Sequence, residues 1–166
     1  MTEKLSRAQP ERPTARVLLF DPDNRILLMK GRMPAARDRP GVWFTVGGGV
    51  EPGETYAEAA AREILEETGI QDFILGPVVW LREGVMLMPA PTLFKEQYFV
   101  ARCIGGDPVR KAWTQIEHDL IDDIRWWSLP ELMTTADRVF PPGLVGRLPP
   151  LLAGRVPKEP ERIPWK

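Results

Sequence analysis

Glu63, Glu66 and Glu67 stand in the stretch REILEETG (residues 62–69), at the end of a segment whose apolar spacing predicts a helix. Residues three and four apart share a helical face, so these carboxylates crowd one another. Each like-charge pair at that spacing destabilises a helix by about 0.2–0.5 kcal/mol. The helix C-terminus adds partial negative charge of its own and favours cations. An ordinary solvated face pairs Glu with Lys or Arg at i+4, yet the residues four beyond Glu63 and Glu66 are Glu67 and Ile70, and only Arg62 is basic nearby. A bound divalent cation resolves the conflict. Carboxylate oxygens are hard ligands suited to Mg2+, Mn2+ or Ca2+, whereas zinc takes His or Cys, and the chain has one of each.

The elements around the cluster follow from pattern. A turn of about 100° per residue from Glu63 places Glu66 and Glu67 within about 60° of it, with Ala57, Ala61, Ile64, Leu65 and Thr68 on the other side. The helix is expected over residues 55–68, with Thr55 or Glu54 at its start and Gly69 as a left-handed C-cap. Ahead of it lie a short strand, VWFTV, the glycines Gly47, Gly48 and Gly49, and the turn EPGE. Glycine there serves tight loop geometry and equally close backbone approach to an ion. Upstream, ARVLLF and RILLMKG flank DPDN and read as a hairpin. Downstream, residues 72–89 read as two strands broken at Gly76-Pro77 and Glu83-Gly84. Residues 92–104 read as one long strand and 122–129 as another. Helices are expected to start at SLPEL and over residues 143–152, the latter interrupted by Pro149-Pro150. Residues 1–13 read as a flexible tail, 14–153 as one domain and 154–166 as a Pro-rich tail. Mixed strands and helices with one strong helix on a sheet predict an α/β or α+β sandwich.

Bulk properties narrow the classes. A chain of 166 residues can bury a real core as one domain. Its net charge of −1 gives no global attraction to nucleic acid or anionic membrane, so any anionic substrate is drawn locally. The single Cys103 excludes an intramolecular disulfide and points to a reducing compartment. The polar N-terminal residues hold no signal-peptide core, and no apolar run approaches the roughly 18 residues of a membrane span. A cytoplasmic protein is the expectation.

Gly48, five residues, Glu54, seven residues and then REILEETGI (62–70) resemble the complete 23-residue signature of the Nudix hydrolases. Every fixed position is matched, including the apolar Ile64 and Ile70. The resemblance implies an α/β/α sandwich with a central mixed β-sheet. It also implies a Mg2+- or Mn2+-dependent hydrolase that cleaves the pyrophosphate bond of a nucleoside diphosphate linked to another moiety. By the same resemblance Glu63, Glu66 and Glu67 are metal-binding and catalytic carboxylates, and the carbonyl of Gly48 adds a ligand. Glu54 and Arg62 form a structural bridge from loop to helix. The general base varies within such enzymes: Glu66 is the first choice, and Glu96 and Glu117 are alternatives, each more simply an exposed surface glutamate.

Substrate contacts are less specified. Lys30, Arg32, Arg37 and Arg39 follow the second strand and can meet phosphates or form a solvated basic loop. Trp43 can stack on a base, although a core position is the commoner fate. Trp126 and Trp127 alternate sides of their strand, so at most one faces a ligand, and His118 reads as a surface loop residue. Val46 stands where many relatives carry proline, and markers of coenzyme A, NADH and other subfamilies are missing. The expected partner is a small-molecule nucleotide, with no membrane and no disulfide partner, and the resemblance leaves a homodimer open. Rival readings are a nucleotide-sensing module without turnover, which usually lacks box carboxylates, and isopentenyl-diphosphate isomerase, which needs a cysteine near the box.

Overall fold

Apolar strands alternating with short turns collect into a mixed sheet in the computed structural model, which describes residues 8–33, 38–110 and 112–166. The order along the chain is β1 (Glu11–Phe20), β2 (Ile26–Gly31), β3 (Val42–Gly49), α1 (Tyr56–Thr68), β4 (Phe73–Leu87), β5 (Pro91–Cys103), α2 (Gln115–Leu120), β6 (Ile121–Trp127), α3 (Leu129–Thr134), α4 (Leu144–Leu152) and β7 (Glu161–Arg162). Seven strands lie in the order β6-β2-β3-β1-β5-β4-β7 among the described residues. β1 runs parallel to β5 and β4 to β7, and the other pairings are antiparallel. No helix among the described residues is long and apolar enough to cross a membrane.

Strand alternation gives the sheet two buried faces. One carries Ala15, Val17, Leu19, Leu27, Met29 and Val46 and is covered by Ala59, Ala60 and Ile64 of α1. The other carries Leu18, Phe20, Leu28, Trp43, Trp80 and Trp127 and is covered by Leu132 of α3 and Leu144, Leu148 and Leu151 of α4. Helices on both faces of a mixed sheet make the expected α/β/α sandwich.

Several boundaries differ from the sequence expectation. Glu11, Arg12 and Pro13, read as the end of a tail, open β1 and pair with Leu93, Phe94 and Lys95. Within 154–166, read as a Pro-rich tail, residues 161–165 are tied to the sheet. Ile163 is buried, its N–H donates to Leu81 O at 2.9 Å, and β7 pairs with Trp80 and Leu81. β4 is one strand rather than two. Its register slips on either side of Val78, and this irregularity accommodates Gly76-Pro77, which cannot supply a regular ladder. α4 continues through Pro149 and Pro150 to Leu152. α2, absent from the sequence reading, is closed by a reciprocal capping box between Thr114 and Glu117.

Candidate active site

The helix α1 begins where the Thr55 hydroxyl accepts from the Glu58 N–H. It ends at Gly69, whose φ of 70° is the left-handed cap conformation that glycine favours. Its buried stripe is Ala59, Ala60, Ile64, Glu67 and Thr68, whereas Ala57 and Leu65 are exposed. The sequence reading put the carboxylates opposite the apolar stripe. Instead Glu67 lies inside it and Glu63 at its margin, because the small side chains of Ala59 and Ala60 seat this face of the helix against the sheet.

The glycines of β3 make the room. Gly47 adopts φ 143°, a region L side chains rarely enter, and a Cβ there would overlap Ala15 O. Its N–H donates to Glu67 Oε2 at 3.0 Å. A Cβ on Gly48 would overlap Glu63 Oε1 and lie 2.8 Å from Glu63 Cδ. The loop is thus shaped around two carboxylates.

Arg62 is the local cation. Its guanidinium donates to Glu54 Oε2 at 2.8 Å, Glu54 Oε1 at 2.9 Å, Glu63 Oε1 at 3.0 Å, Glu66 Oε2 at 3.1 Å and Gly49 O at 3.0 Å. The Glu54–Arg62 bridge from loop to helix is therefore bidentate. The hydrogen bonds from Arg62 hold the Glu54 carboxyl down at about 2, and the same pair raises the Arg62 guanidinium. Glu67 has no share in Arg62. It is 7% exposed, and burial first, then the neighbouring Glu63, pushes its carboxyl well above the usual range. Burial likewise raises Glu63, against the lowering pull of Arg62. Glu66, at 49% side-chain exposure, faces solvent.

With Arg62 engaging Glu63 and Glu66, no three His, Cys, Asp or Glu side chains among the described residues are gathered around one metal-sized point. The donors themselves suit a hard cation. A buried carboxylate beside a second one, both against a glycine backbone with no room for a Cβ, is the electrostatic setting that a divalent ion relieves.

Other sequence candidates lie elsewhere. Trp43 is 3% exposed, donates from Nε1 to Asp137 Oδ2 at 3.0 Å and packs edge-on against Trp127, so it offers no face to a base. Lys30 lies 3.5 Å from Asp137 on the sheet face opposite α1, and Arg32 pairs with Asp122 at 2.8 Å. Neither is brought to the carboxylates. Arg39 is exposed, and Arg37 lies outside the described residues. Trp126 and Trp127 do take opposite faces. His118 sits in α2, with its ring 5.5 Å from that of Trp113.

Glu117 is committed to its cap, where its carboxylate accepts from the Thr114 N–H at 3.2 Å. Glu96, read as exposed, is 5% exposed. It accepts from Arg82 Nη1 at 2.7 Å and Tyr98 O–H at 3.0 Å, and lies 3.6 Å from Arg16 Nε. Saturated in this way, it is a poor base. The sequence reading missed Arg12, Arg16 and Arg82. The signal was available, since residues at even spacing on a strand share a face.

The chain matches the NUDIX domain over residues 10–145. It is 30% identical over 142 residues to an RNA pyrophosphohydrolase of Rickettsia bellii, covering 80% of this chain and 84% of the relative. It is 32% identical over 120 residues to the oxidized purine nucleoside triphosphate hydrolase of Mus musculus, covering 67% and 73%. A NUDIX hydrolase structure from Nitrosomonas europaea superposes with a TM-score of 0.65 at 23% identity, covering 89% of this chain and 92% of the other.

Proposed function

Because the chain belongs to the Nudix family of pyrophosphohydrolases, which are acid anhydride hydrolases that generally use a divalent metal, we propose that Glu63, Glu66 and Glu67 hold Mg2+ or Mn2+ against the diphosphate of a nucleotide. The observation that carries this reading is the placement of Glu67. It is a buried carboxylate that accepts one backbone N–H, is set beside Glu63, and feels Arg16 only through space, with no arginine at ion-pairing distance. A charge left in that position is costly unless a cation joins it.

When bound, the ion supplies charge neutralisation for the diphosphate oxygens and a lowered pKa for the attacking water. The chain does the positioning. Glu67 is held by the Gly47 N–H and Glu63 by Arg62, with Gly48 packed against the Glu63 carboxylate. Glu54 and Arg62 fix the glycine loop to the helix, so the ligands move as one unit. Glu66 is exposed at the same helix end and is the general base of this reading. It takes a proton from water as the new oxygen–phosphorus bond forms. The bridging P–O bond breaks, and the phosphate leaving group departs with its electron pair. Glu96 and Glu117 are set aside as bases, since their hydrogen-bond partners occupy them.

The substrate class is a nucleoside diphosphate carrying a further group. The Rickettsia bellii relative is named an RNA pyrophosphohydrolase and the Mus musculus relative a hydrolase of oxidized purine nucleoside triphosphates, and triphosphates contain that linkage. The test is product release by the purified protein from ADP-ribose, nucleotide sugars, dinucleoside polyphosphates, oxidised dNTPs and 5′-triphosphorylated RNA, with Mg2+ and with EDTA. Metal-dependent cleavage of at least one is expected. Tight nucleotide binding with no product from any of them would favour the sensing module instead.

A further inference from the structure

The sheet face turned away from α1 carries a basic and aromatic row that the carboxylate chemistry does not use. Phe94, Glu96 and Tyr98 of β5 alternate onto this face. Their partners are Arg12, Thr14 and Arg16 on β1, and Gly84, Arg82 and Trp80 on β4. Residues 161–165 lie across it. Arg82, already bonded to Glu96, donates from Nε to Pro164 O at 3.2 Å and from Nη2 to Trp165 O at 2.7 Å, and stacks 4.1 Å from the centroid of the Trp165 ring. The indole lies on Gly84, where any Cβ would overlap the ring. Its centroid is 6.2 Å from that of Phe94. The Arg12 guanidinium stands 5.5 Å over Phe94, and its nitrogens are 3.8 Å from the position a Gly49 Cβ would take. Gly49 is the residue whose carbonyl Arg62 holds. The row therefore runs unbroken from Trp165 to the glycine loop at Gly49. At about 4.8 Å per strand, the three gaps from β4 to β3 span roughly 14 Å.

We propose that Trp165 is a substrate-binding residue of the nucleotide site, stacking the base while Arg12 meets phosphate between the base and the glycine loop. This rests on the pyrophosphohydrolase reading. The order of chemistry along the row is that of a nucleotide: an aromatic platform, then a guanidinium, then the carboxylate cluster. Aromatic faces accept any base by stacking, and arginine matches phosphate with two parallel hydrogen bonds. A tryptophan that served only to seal the sheet would be fully covered, as Trp80 is at 2% exposure, whereas Trp165 remains partly exposed. The near-neutral chain also needs a local attraction for an anion; Arg16 and Arg82 share the one carboxylate of Glu96, and Arg12 stands over Phe94 beside them.

Two independent changes test it. Trp165→Ala removes the platform. Gly84→Ala unseats the indole by its methyl group while leaving Trp165 in the chain. AMP, GMP, CMP and UMP, the products of such a reaction, are titrated by calorimetry with tryptophan fluorescence followed alongside, so binding is read whether or not turnover occurs and also where Trp165 is replaced. Both variants should bind the monophosphates about tenfold more weakly and raise KM about tenfold with kcat unchanged. Trp165→Phe, which keeps a flat ring, should retain the affinity but lose the quench. Unchanged affinity and KM in both alanine variants would overturn the proposal. So would a lowered KM, since the segment would then be obstructing the site. A wild-type protein that binds AMP by this criterion yet cleaves no substrate would overturn the hydrolase reading alone.

Discussion

Replacing Glu67 by Gln separates what this residue does for the fold from what it does for chemistry. The side chain is 7% exposed, accepts one backbone N–H from Gly47 at 3.0 Å and faces Glu63. Glutamine is nearly isosteric, and its carbonyl oxygen keeps the Gly47 hydrogen bond. The change removes a buried ionisable carboxyl crowded by Glu63, on which Arg16 acts only through space. Metal-free E67Q should therefore be more stable than wild type by about 1 kcal/mol, the range typical of relieving a strained functional residue. For a chain of this size that raises Tm by about 2–4 °C. Turnover should fall at least ~100-fold, equivalent to about 2.7 kcal/mol of transition-state stabilisation. The two effects are measured together by differential scanning calorimetry and steady-state kinetics over a Mg2+ titration. Wild type should gain stability as Mg2+ is added, whereas E67Q should lose about 1.4 kcal/mol of that gain for each tenfold loss of affinity. Full turnover by E67Q, or an equal Mg2+-induced rise in Tm for both proteins, would refute the assignment of Glu67 as a ligand.

Gly48→Ala should displace the Glu63 carboxylate by direct overlap, lowering Mg2+ affinity in calorimetric titration while the circular dichroism stays native. Glu54→Gln tests the loop bridge by its pH dependence. The Glu54 carboxyl is depressed to about 2, so its stabilisation is complete above the ordinary range near 4.5 and is lost as pH falls toward 2. Urea unfolding should thus show a deficit for the variant at pH 7 that closes on acidification, and a constant deficit would contradict the bridge. Arg82→Met should destabilise by about 1.5–3 kcal/mol, because it removes the nearest cation from a buried carboxylate that keeps only the Tyr98 hydroxyl and Arg16. The double variant with Glu96→Gln should recover much of that loss in the same urea titration.

The fold and the centre of the candidate site were legible because they rest on short-range chemistry. The hairpin, the helix 56–68, its glycine cap and the crowding of Glu63, Glu66 and Glu67 follow from periodicity, capping and charge spacing within about twenty residues. What was not legible depended on partners distant in sequence. Glu96 looks like a surface residue on a strand until β4 brings Arg82 across from it, 14 positions away. Residues 161–165 look like a polar tail until Arg82 and Gly84 provide a seat more than 80 positions upstream. Trp43 was ambiguous for the same reason, since Asp137, 94 positions on, fixes its indole. The rotation of α1 is subtler. A wheel weighted by hydrophobicity turns glutamates outward, but the bulkless backbone of Gly47 and Gly48 makes an inward carboxylate sterically allowed.

That last misreading bears on function. A helix that points a carboxylate into its own packing stripe gives up apolar burial there and takes on the desolvation of a charge. The surrounding fold gives position 67 only the through-space pull of Arg16 while committing Arg62 to Glu54, Glu63 and Glu66 a turn away. A purely structural glutamate at position 67 would be expected to share that arginine or to be replaced at little consequence by an apolar residue. The arrangement suits the proposed site, where further positive charge arrives with a ligand, and the E67Q measurement of stability against turnover tests that point directly.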